Sequence, residues 1–157
     1  MKSSIISTKS KAFALRIVRL YKYLCKRKES VIAKQMLRSG TSIGANIAES
    51  RYAQSKTDFA SKLQIALKEA AETEYWLELL RDSELVESSP AFDSLCGDCT
   101  ELIKLLTSSV KTAKEMRSSS SRSATSTILF SAIRNERVAV GKPLEALAPE
   151  RVIRRTM

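Results

Sequence analysis

Residues 34–50, KQMLRSGTSIGANIAES, combine a helical pattern with an unusual number of small side chains. At about 100° per residue, Met36, Ser39, Ile43 and Ile47 fall on one face, which is apolar and has a small residue at its centre. A helix with such a face can lie very close to a neighbouring helix. The stretch therefore predicts a packing helix rather than a catalytic element, and it favours a fold built from helices.

A polar edge runs along the same predicted helix. It consists of Arg38, Ser42, Asn46 and Glu49, at positions i, i+4, i+8 and i+11. Arg38 and Glu49 are about 16 Å apart along the axis, at ~1.5 Å per residue, so they cannot pair within this helix. We expect each to have a partner elsewhere. For Glu49 the candidates are the free amides that open the next helix and a basic side chain of a neighbouring helix, and both are structural roles.

Three more segments carry apolar residues at intervals of three and four, which is typical of amphipathic helices. These segments are residues 9–26, 57–81 and 90–116. Ser30 and Ser55 are predicted to be the N-caps of the second and third helices, and Pro90 suits the first turn of the fourth. No strand pattern occurs in the first 117 residues, so the predicted fold class is all-α.

The composition changes after Arg117, where SSSSRSATST is typical of a linker. Residues 1–117 are therefore predicted to form a four-helix bundle, and residues 118–157 a serine-rich linker with a basic tail. The apolar groups of the tail are too short to build a core. We expect the tail to be disordered alone and to order only by docking on its own bundle or on a partner.

The net charge of +10 is unevenly distributed. Residues 1–38 hold eleven Lys and Arg against Glu29 alone, a net of +10, residues 39–117 have a net of −4, and the tail adds +4. A basic surface favours nucleic acid or another polyanion through counterion release. The alternative is that it neutralises acidic residues of this chain or of a neighbouring subunit. The candidate nucleic-acid contacts, on the first helix and its following turn, are Arg16, Arg19, Lys22, Lys26, Arg27 and Lys28.

Tyr23 lies among these cations. An exposed tyrosine can stack on a base, although a half-exposed tyrosine on a helix more often serves packing.

The third predicted helix has a second line of residues on the side opposite its core stripe. This line is apolar at its ends and acidic in the middle, and it consists of Ile65, Glu69, Glu72, Trp76 and Leu79. Since a helix of a lone bundle buries only one face, this line predicts contact with another subunit.

The residue types that most catalytic and metal sites need are missing. The sequence has no histidine, which is the usual general base and the commonest metal ligand. Cys96 and Cys99 have the C-x-x-C spacing, but Cys25 is the only other cysteine, so Cys and His of one chain cannot supply four zinc ligands. Both are predicted to pack in the core. We expect no enzyme activity, no cofactor and no metal.

Three cysteines without a secretion signal indicate a reducing compartment. No apolar run approaches the ~20 residues of a membrane span. We therefore expect a cytoplasmic protein.

Residues 35–80 resemble a family of small four-helix-bundle proteins first found encoded in intervening sequences of bacterial 23S ribosomal RNA genes. The similarity covers approximately residues 9–116, and its most specific parts are Q-x-x-R, S-I-x-x-N-I-A-E and a D-F pair. In this sequence the matching residues are Gln35, Arg38, Ser42, Ile43, Asn46, Ile47, Ala48, Glu49, Asp58 and Phe59. Ser50 stands where the family usually has glycine, Lys68 and Glu69 stand where it prefers small residues, and the tail is unmatched.

The resemblance implies an up-and-down antiparallel four-helix bundle that assembles into a homopentameric barrel, in a cytoplasmic protein that is not an enzyme. A distant relative with the same barrel is the accessory variability protein of diversity-generating retroelements, which binds a reverse transcriptase and nucleic acid. Together with the charge distribution, this favours a homo-oligomeric scaffold that binds nucleic acid, RNA above all, through the first helix. The alternative is a protein-binding adaptor, such as an accessory subunit for a retroelement reverse transcriptase.

Overall fold

The computed structural model describes residues 4–119, with side chains as far as Glu115. This part of the chain forms four helices and no strand, which confirms the all-α prediction. The helices are α1 Ile5–Lys26, α2 Ser30–Ser50, α3 Lys56–Asp82 and α4 Pro90–Ser119. The predicted linker and tail, apart from the last residues of α4, lie outside the described residues.

Side-chain caps determine where two of the helices begin. α1 begins earlier than the predicted residue 9 because the hydroxyl of Ser4 accepts a hydrogen bond from the N–H of Ser7. At the start of α3, the Ser55 hydroxyl accepts from the N–H of Asp58 at 3.0 Å, and the Asp58 carboxylate accepts from the N–H of Gln54 at 3.1 Å. The predicted cap at Ser55 is thus confirmed.

The predicted cap at Ser30 is wrong. Ser30 is the first residue of α2, Glu29 occupies the cap position, and no side chain caps this helix. The reason lies in the preceding turn, where Lys28 adopts a left-handed conformation with φ of 69°. The N–H of Lys28 donates to the carbonyl of Cys25 and that of Glu29 donates to the carbonyl of Leu24, both at 3.1 Å. This bonding closes α1 and leads directly into α2.

The four helices form a ring in chain order. α2 packs against α1 and α3, and α4 closes the ring by packing against α3 and, less extensively, against α1. This is the up-and-down antiparallel bundle that the resemblance implies. The predicted apolar stripes meet at its centre, where the largest fully buried side chains include Phe13, Ile17, Leu24, Met36, Ile43, Leu77, Leu80, Leu102 and Leu106.

Small residues of α2 bring its two neighbours close on different sides. Toward α1, a Cβ atom added at Gly40 would lie 2.9 Å from Cγ1 and Cγ2 of Ile17. Toward α3, the buried Ser39 hydroxyl accepts a hydrogen bond from the buried Thr73 hydroxyl at 2.9 Å. The predicted close packing of this helix therefore involves two helices at once.

Candidate nucleic-acid interface

The side of α1 that faces α4 carries cations that are already paired. Lys9 forms an ion pair with Glu101 at 2.8 Å. Arg16 pairs with Asp98 and also donates to the carbonyl of Ala91 at 2.8 Å and to the Ser94 hydroxyl at 3.3 Å. The side chain of Arg16 is only 11% exposed. Arg16 was predicted as a nucleic-acid contact, but the structure places it in the contact between α1 and α4.

The outward side of α1 carries cations that remain exposed. Arg19, Lys22 and Lys26 are there as predicted, and Lys11 joins them at helical spacing. Lys11 was not among the predicted contacts, although it precedes Arg19 by eight residues and Lys22 by eleven, a spacing that puts all three on one face of a helix. The row spans about 22 Å from Lys11 to Lys26 at ~1.5 Å per residue. None of these four residues has an ion pair within the described part of the chain. We refer to Lys11, Arg19, Lys22 and Lys26 as the basic row.

The turn after α1 extends this positive surface. Lys28 is exposed, and its left-handed backbone places it at the tip of the turn. Arg27 donates to the Tyr23 hydroxyl at 2.6 Å, and its guanidinium carbon lies 5.5 Å from the centre of the tyrosine ring. Tyr23 is thus exposed but already in contact with a cation, which favours its packing role over the predicted alternative of base stacking.

The polar edge of α2 is bonded mainly to α3. Arg38 pairs with Glu72 at 2.7 Å, and Glu49 pairs with Lys62 at 2.6 Å. Of the two partners proposed for Glu49, the structure therefore selects the basic side chain. That contact also raises the pKa of the Lys62 ammonium, chiefly through its hydrogen bond to the carboxylate.

The other residues of the resembling motif have local roles. Asn46 donates to the carbonyl of Ser42 at 2.9 Å, within its own helix, so the structure shows no bond from Asn46 to α3. The carbonyl of the exposed Gln35 accepts from the Ser39 hydroxyl, and Phe59 packs half-buried against the core. These residues stabilise the bundle, and none lies in the basic row.

The second line of α3 lies beside α2 and is only partly covered. Ile65 is 38% exposed, and Trp76 and Leu79 are half-buried. Glu72 is engaged within the chain, because it accepts from both Arg38 and the Trp76 indole N–H, the latter at 3.3 Å. Oε2 of Glu69, in contrast, is buried and has no hydrogen-bond partner. The predicted interface residues thus lie along one side of α3, but Glu72 already has partners within its own chain.

The two cysteines of the C-x-x-C motif do not form a reactive pair. Cys99 is buried, and its thiol lies 3.5 Å from the carbonyl of Ala70. Burial raises the pKa of the Cys99 thiol to about 12, and burial also raises the pKa of the half-buried Cys96 thiol. Reactive cysteines have the opposite shift. Within residues 4–119, no group of three or more Cys, Asp or Glu side chains is arranged to hold a metal ion.

Comparison with known proteins identifies the family. Residues 2–108 match the family model described as 23S rRNA-intervening sequence protein. The chain belongs to this family. A crystal structure of a protein with unknown function from the S23 ribosomal protein family of Bacteroides thetaiotaomicron is similar, at 56% sequence identity and a TM-score of 0.66. The match covers 68% of this chain and 99% of that chain. No curated protein is significantly similar to this chain.

Membership of the 23S rRNA-intervening sequence protein family agrees with the resemblance drawn from the α2 motif. The family match ends at residue 108, within α4, so the tail lies beyond it. No helix in the described part of the chain is long and apolar enough to cross a membrane.

Proposed function

We propose that this chain is a non-enzymatic, homo-oligomeric scaffold that binds nucleic acid, RNA in particular, through the basic row and the adjoining turn of α1. The observation that carries the proposal is the division of α1 cations into two groups. Lys9 and Arg16 pair with acids of α4 and thereby stabilise the bundle, whereas the basic row has no ion pair within residues 4–119. α1 contains no acidic residue of its own to offset these charges.

Exposed cations on one face repel each other, so they reduce the stability of the bundle slightly. They suit a ligand that carries regularly spaced negative charges. Phosphate groups of a nucleic acid provide such charges, and binding releases the counterions that the phosphates had condensed. The description of the family as proteins of 23S rRNA-intervening sequences supports RNA as the first nucleic acid to test.

Salt dependence of RNA binding tests the proposal. We expect filter binding of a structured RNA hairpin to weaken steeply between ~50 and ~200 mM salt. Replacing Arg19, Lys22 and Lys26 together by glutamine should lower the slope of log K against log salt by about 2 to 3, because each lost phosphate contact removes about one unit. The matched control replaces Lys104, Lys111 and Lys114 of α4, which are also exposed, by glutamine.

An equal loss in both triple variants would show that total charge, not the α1 face, determines binding. Absence of binding even at low salt would refute the nucleic-acid function. Retention of a protein partner after nuclease treatment would then favour the adaptor alternative, in which a reverse transcriptase or another protein is bound.

The oligomeric part of the proposal is supported by the second line of α3. Ile65 is 38% exposed and Trp76 is only half-buried, although both are large apolar side chains. A second subunit could cover these apolar groups, which an isolated bundle leaves partly exposed. A ring of five subunits, as the resemblance implies, would also bring the basic rows of several subunits into one band.

Light scattering tests the assembly. We expect the purified protein at micromolar concentration to have a mass several times the 17.5 kDa of one chain. Ile65→Arg should shift the mass toward the monomer, because it buries a charge in the interface. Val31→Arg is the matched control, since Val31 is β-branched, aliphatic and 76% exposed on α2. A monomeric unmodified chain would contradict the oligomeric scaffold, and so would dissociation by Val31→Arg alone.

A further inference from the structure

A groove runs between the outward sides of α1 and α2, and no described residue fills it. Its volume is about 610 Å³. Small residues of α2, Ala45 and Ala48, form one wall. The other wall includes Leu15 of α1, which is 54% exposed although it is a large aliphatic side chain.

Two cations flank this groove. Lys11 belongs to its α1 wall and Arg51 lies at the end of α2, and both are exposed. Neither has an ion pair within residues 4–119. The groove therefore suits a short peptide segment that offers aliphatic side chains to Leu15 and the alanines, and carboxylates to the two cations.

One segment of this chain has that composition. Residues 118–157 contain seven Lys and Arg and only three acids. Two of the three acids, Glu145 and Glu150, lie in residues 143–150, PLEALAPE, which contain no Lys or Arg. The same eight residues provide Leu144 and Leu147. This acidic and aliphatic stretch is the complement of the groove, whereas the third acid of the tail, Glu136, lies between Arg134 and Arg137.

The length of the chain allows this segment to reach the groove. Consecutive helices alternate in direction, so α4 ends at the same end of the bundle as α2, which is the end where Arg51 lies. From Ser119 to Leu144 is 25 residues, and a flexible chain of that length spans about 25–30 Å. The whole of α1 is about 33 Å long at ~1.5 Å per residue. Tethering at this distance gives an effective concentration in the millimolar range, at which a weak contact is occupied.

We propose that residues 143–150 dock in the α1–α2 groove of their own chain, with Leu144 and Leu147 against Leu15 and the carboxylates of Glu145 and Glu150 near Lys11 and Arg51. The segment lies beyond the part of the chain that matches the family, which ends at residue 108. The docking does not rest on the proposed nucleic-acid function, but the two share Lys11, which belongs both to the groove and to the basic row.

Site-specific photocrosslinking of the full chain tests the proposal. The photoreactive residue p-benzoylphenylalanine replaces Leu15, and in a control protein it replaces Tyr75 of α3, which is similarly exposed at 56%. Mass spectrometry of the digested product should find the Leu15 site joined to a peptide that contains residues 143–150, in a product that migrates as one chain. The Tyr75 site should not give this adduct.

Charge reversal in the tail provides the second measurement. Glu145→Lys should remove most of the adduct, whereas Glu136→Lys, which makes the same charge change outside the segment, should leave its yield unchanged. Reversing both sides, with Lys11→Glu and Arg51→Glu added to Glu145→Lys and Glu150→Lys, should restore it. A crosslink to another part of the tail, a crosslink between two chains, or no crosslink at all would each overturn the proposal.

Discussion

Gly40→Ala should destabilise the bundle, whereas Gly44→Ala, one helical turn further along α2, should stabilise it. At Gly40 the new Cβ atom would lie 2.9 Å from two γ carbons of Ile17, which is fully buried and branched at that point. Overpacking of this kind costs about 1–3 kcal/mol. The higher helix propensity of alanine offsets about 1 kcal/mol of that. We expect a net loss of about 1 kcal/mol in the free energy of unfolding.

At Gly44 the closest atoms to an added Cβ belong to Ser10 and lie 3.7 Å away, which is an ordinary contact. Only the propensity gain of about 0.5–1 kcal/mol remains there. Urea unfolding followed by circular dichroism, at one fixed protein concentration, measures both variants.

A second substitution identifies the cause. Ile17→Ala removes the two γ carbons that Gly40→Ala would approach, so Gly40→Ala should become neutral or stabilising in that background. The difference between the two backgrounds is the coupling energy of the pair. If Gly40→Ala costs the same in both, the steric explanation fails.

Arg16→Gln should lower stability but leave RNA binding almost unchanged, and Arg19→Gln should do the reverse. Arg16 makes bonds to Asp98, Ser94 and the Ala91 carbonyl in a partly buried site. A hydrogen bond to a charged group contributes about 1.5–3 kcal/mol to stability. We therefore expect Arg16→Gln to lower the free energy of unfolding by about 2 kcal/mol. Arg19 is exposed and has no ion pair within residues 4–119, and exposed substitutions usually change stability by less than about 0.5 kcal/mol.

For RNA binding we expect the opposite ranking of the two variants. Arg19→Gln should lower the salt slope of RNA binding by about one unit, while Arg16→Gln should keep the slope of the unmodified chain. Chemical unfolding and filter binding on the same two proteins check this reversal. If the slope falls with Arg16→Gln instead, then the contact between α1 and α4 opens when RNA binds, and the assignment of Arg16 to the fold is wrong.

The sequence was sufficient for the features that depend on distance along one helix. The apolar stripes, the cap at Ser55 and the need of Arg38 and Glu49 for partners elsewhere all follow from helical spacing, and the structure contains them. The position of Arg16 in the contact between α1 and α4 could not be predicted from helical spacing. Helical periodicity gives the angle between a side chain and the core-facing stripe of its helix. This angle does not distinguish Arg16 from Arg19, because they lie on either side of the same outward surface. Which of them meets α4 depends on the direction in which the helices are arranged around the ring.

Asn46 shows a second reason for failure. Its spacing placed it on the edge with Arg38 and Glu49, but its side chain is short and can bond a carbonyl of its own helix. The long side chains of Arg38 and Glu49 reach the neighbouring helix, and the amide does not. Lys28 has a left-handed backbone conformation, which is usually signalled by glycine in a sequence. Without that signal, the N-cap of α2 was predicted at Ser30 and not at Glu29.

The bonds between α2 and α3 also determine how these two helices are aligned. Apolar stripes such as those of Ile43 and Leu77 would remain largely buried if α3 slid by one turn, about 5.4 Å. The bonds Arg38–Glu72, Ser39–Thr73 and Glu49–Lys62 would all break together in that shift. They therefore contribute less to the strength of the packing than to the choice of one alignment among several that hydrophobic contact alone would permit. A fixed alignment keeps the outward faces of every copy of the chain identical, which the proposed closed assembly of identical copies would require.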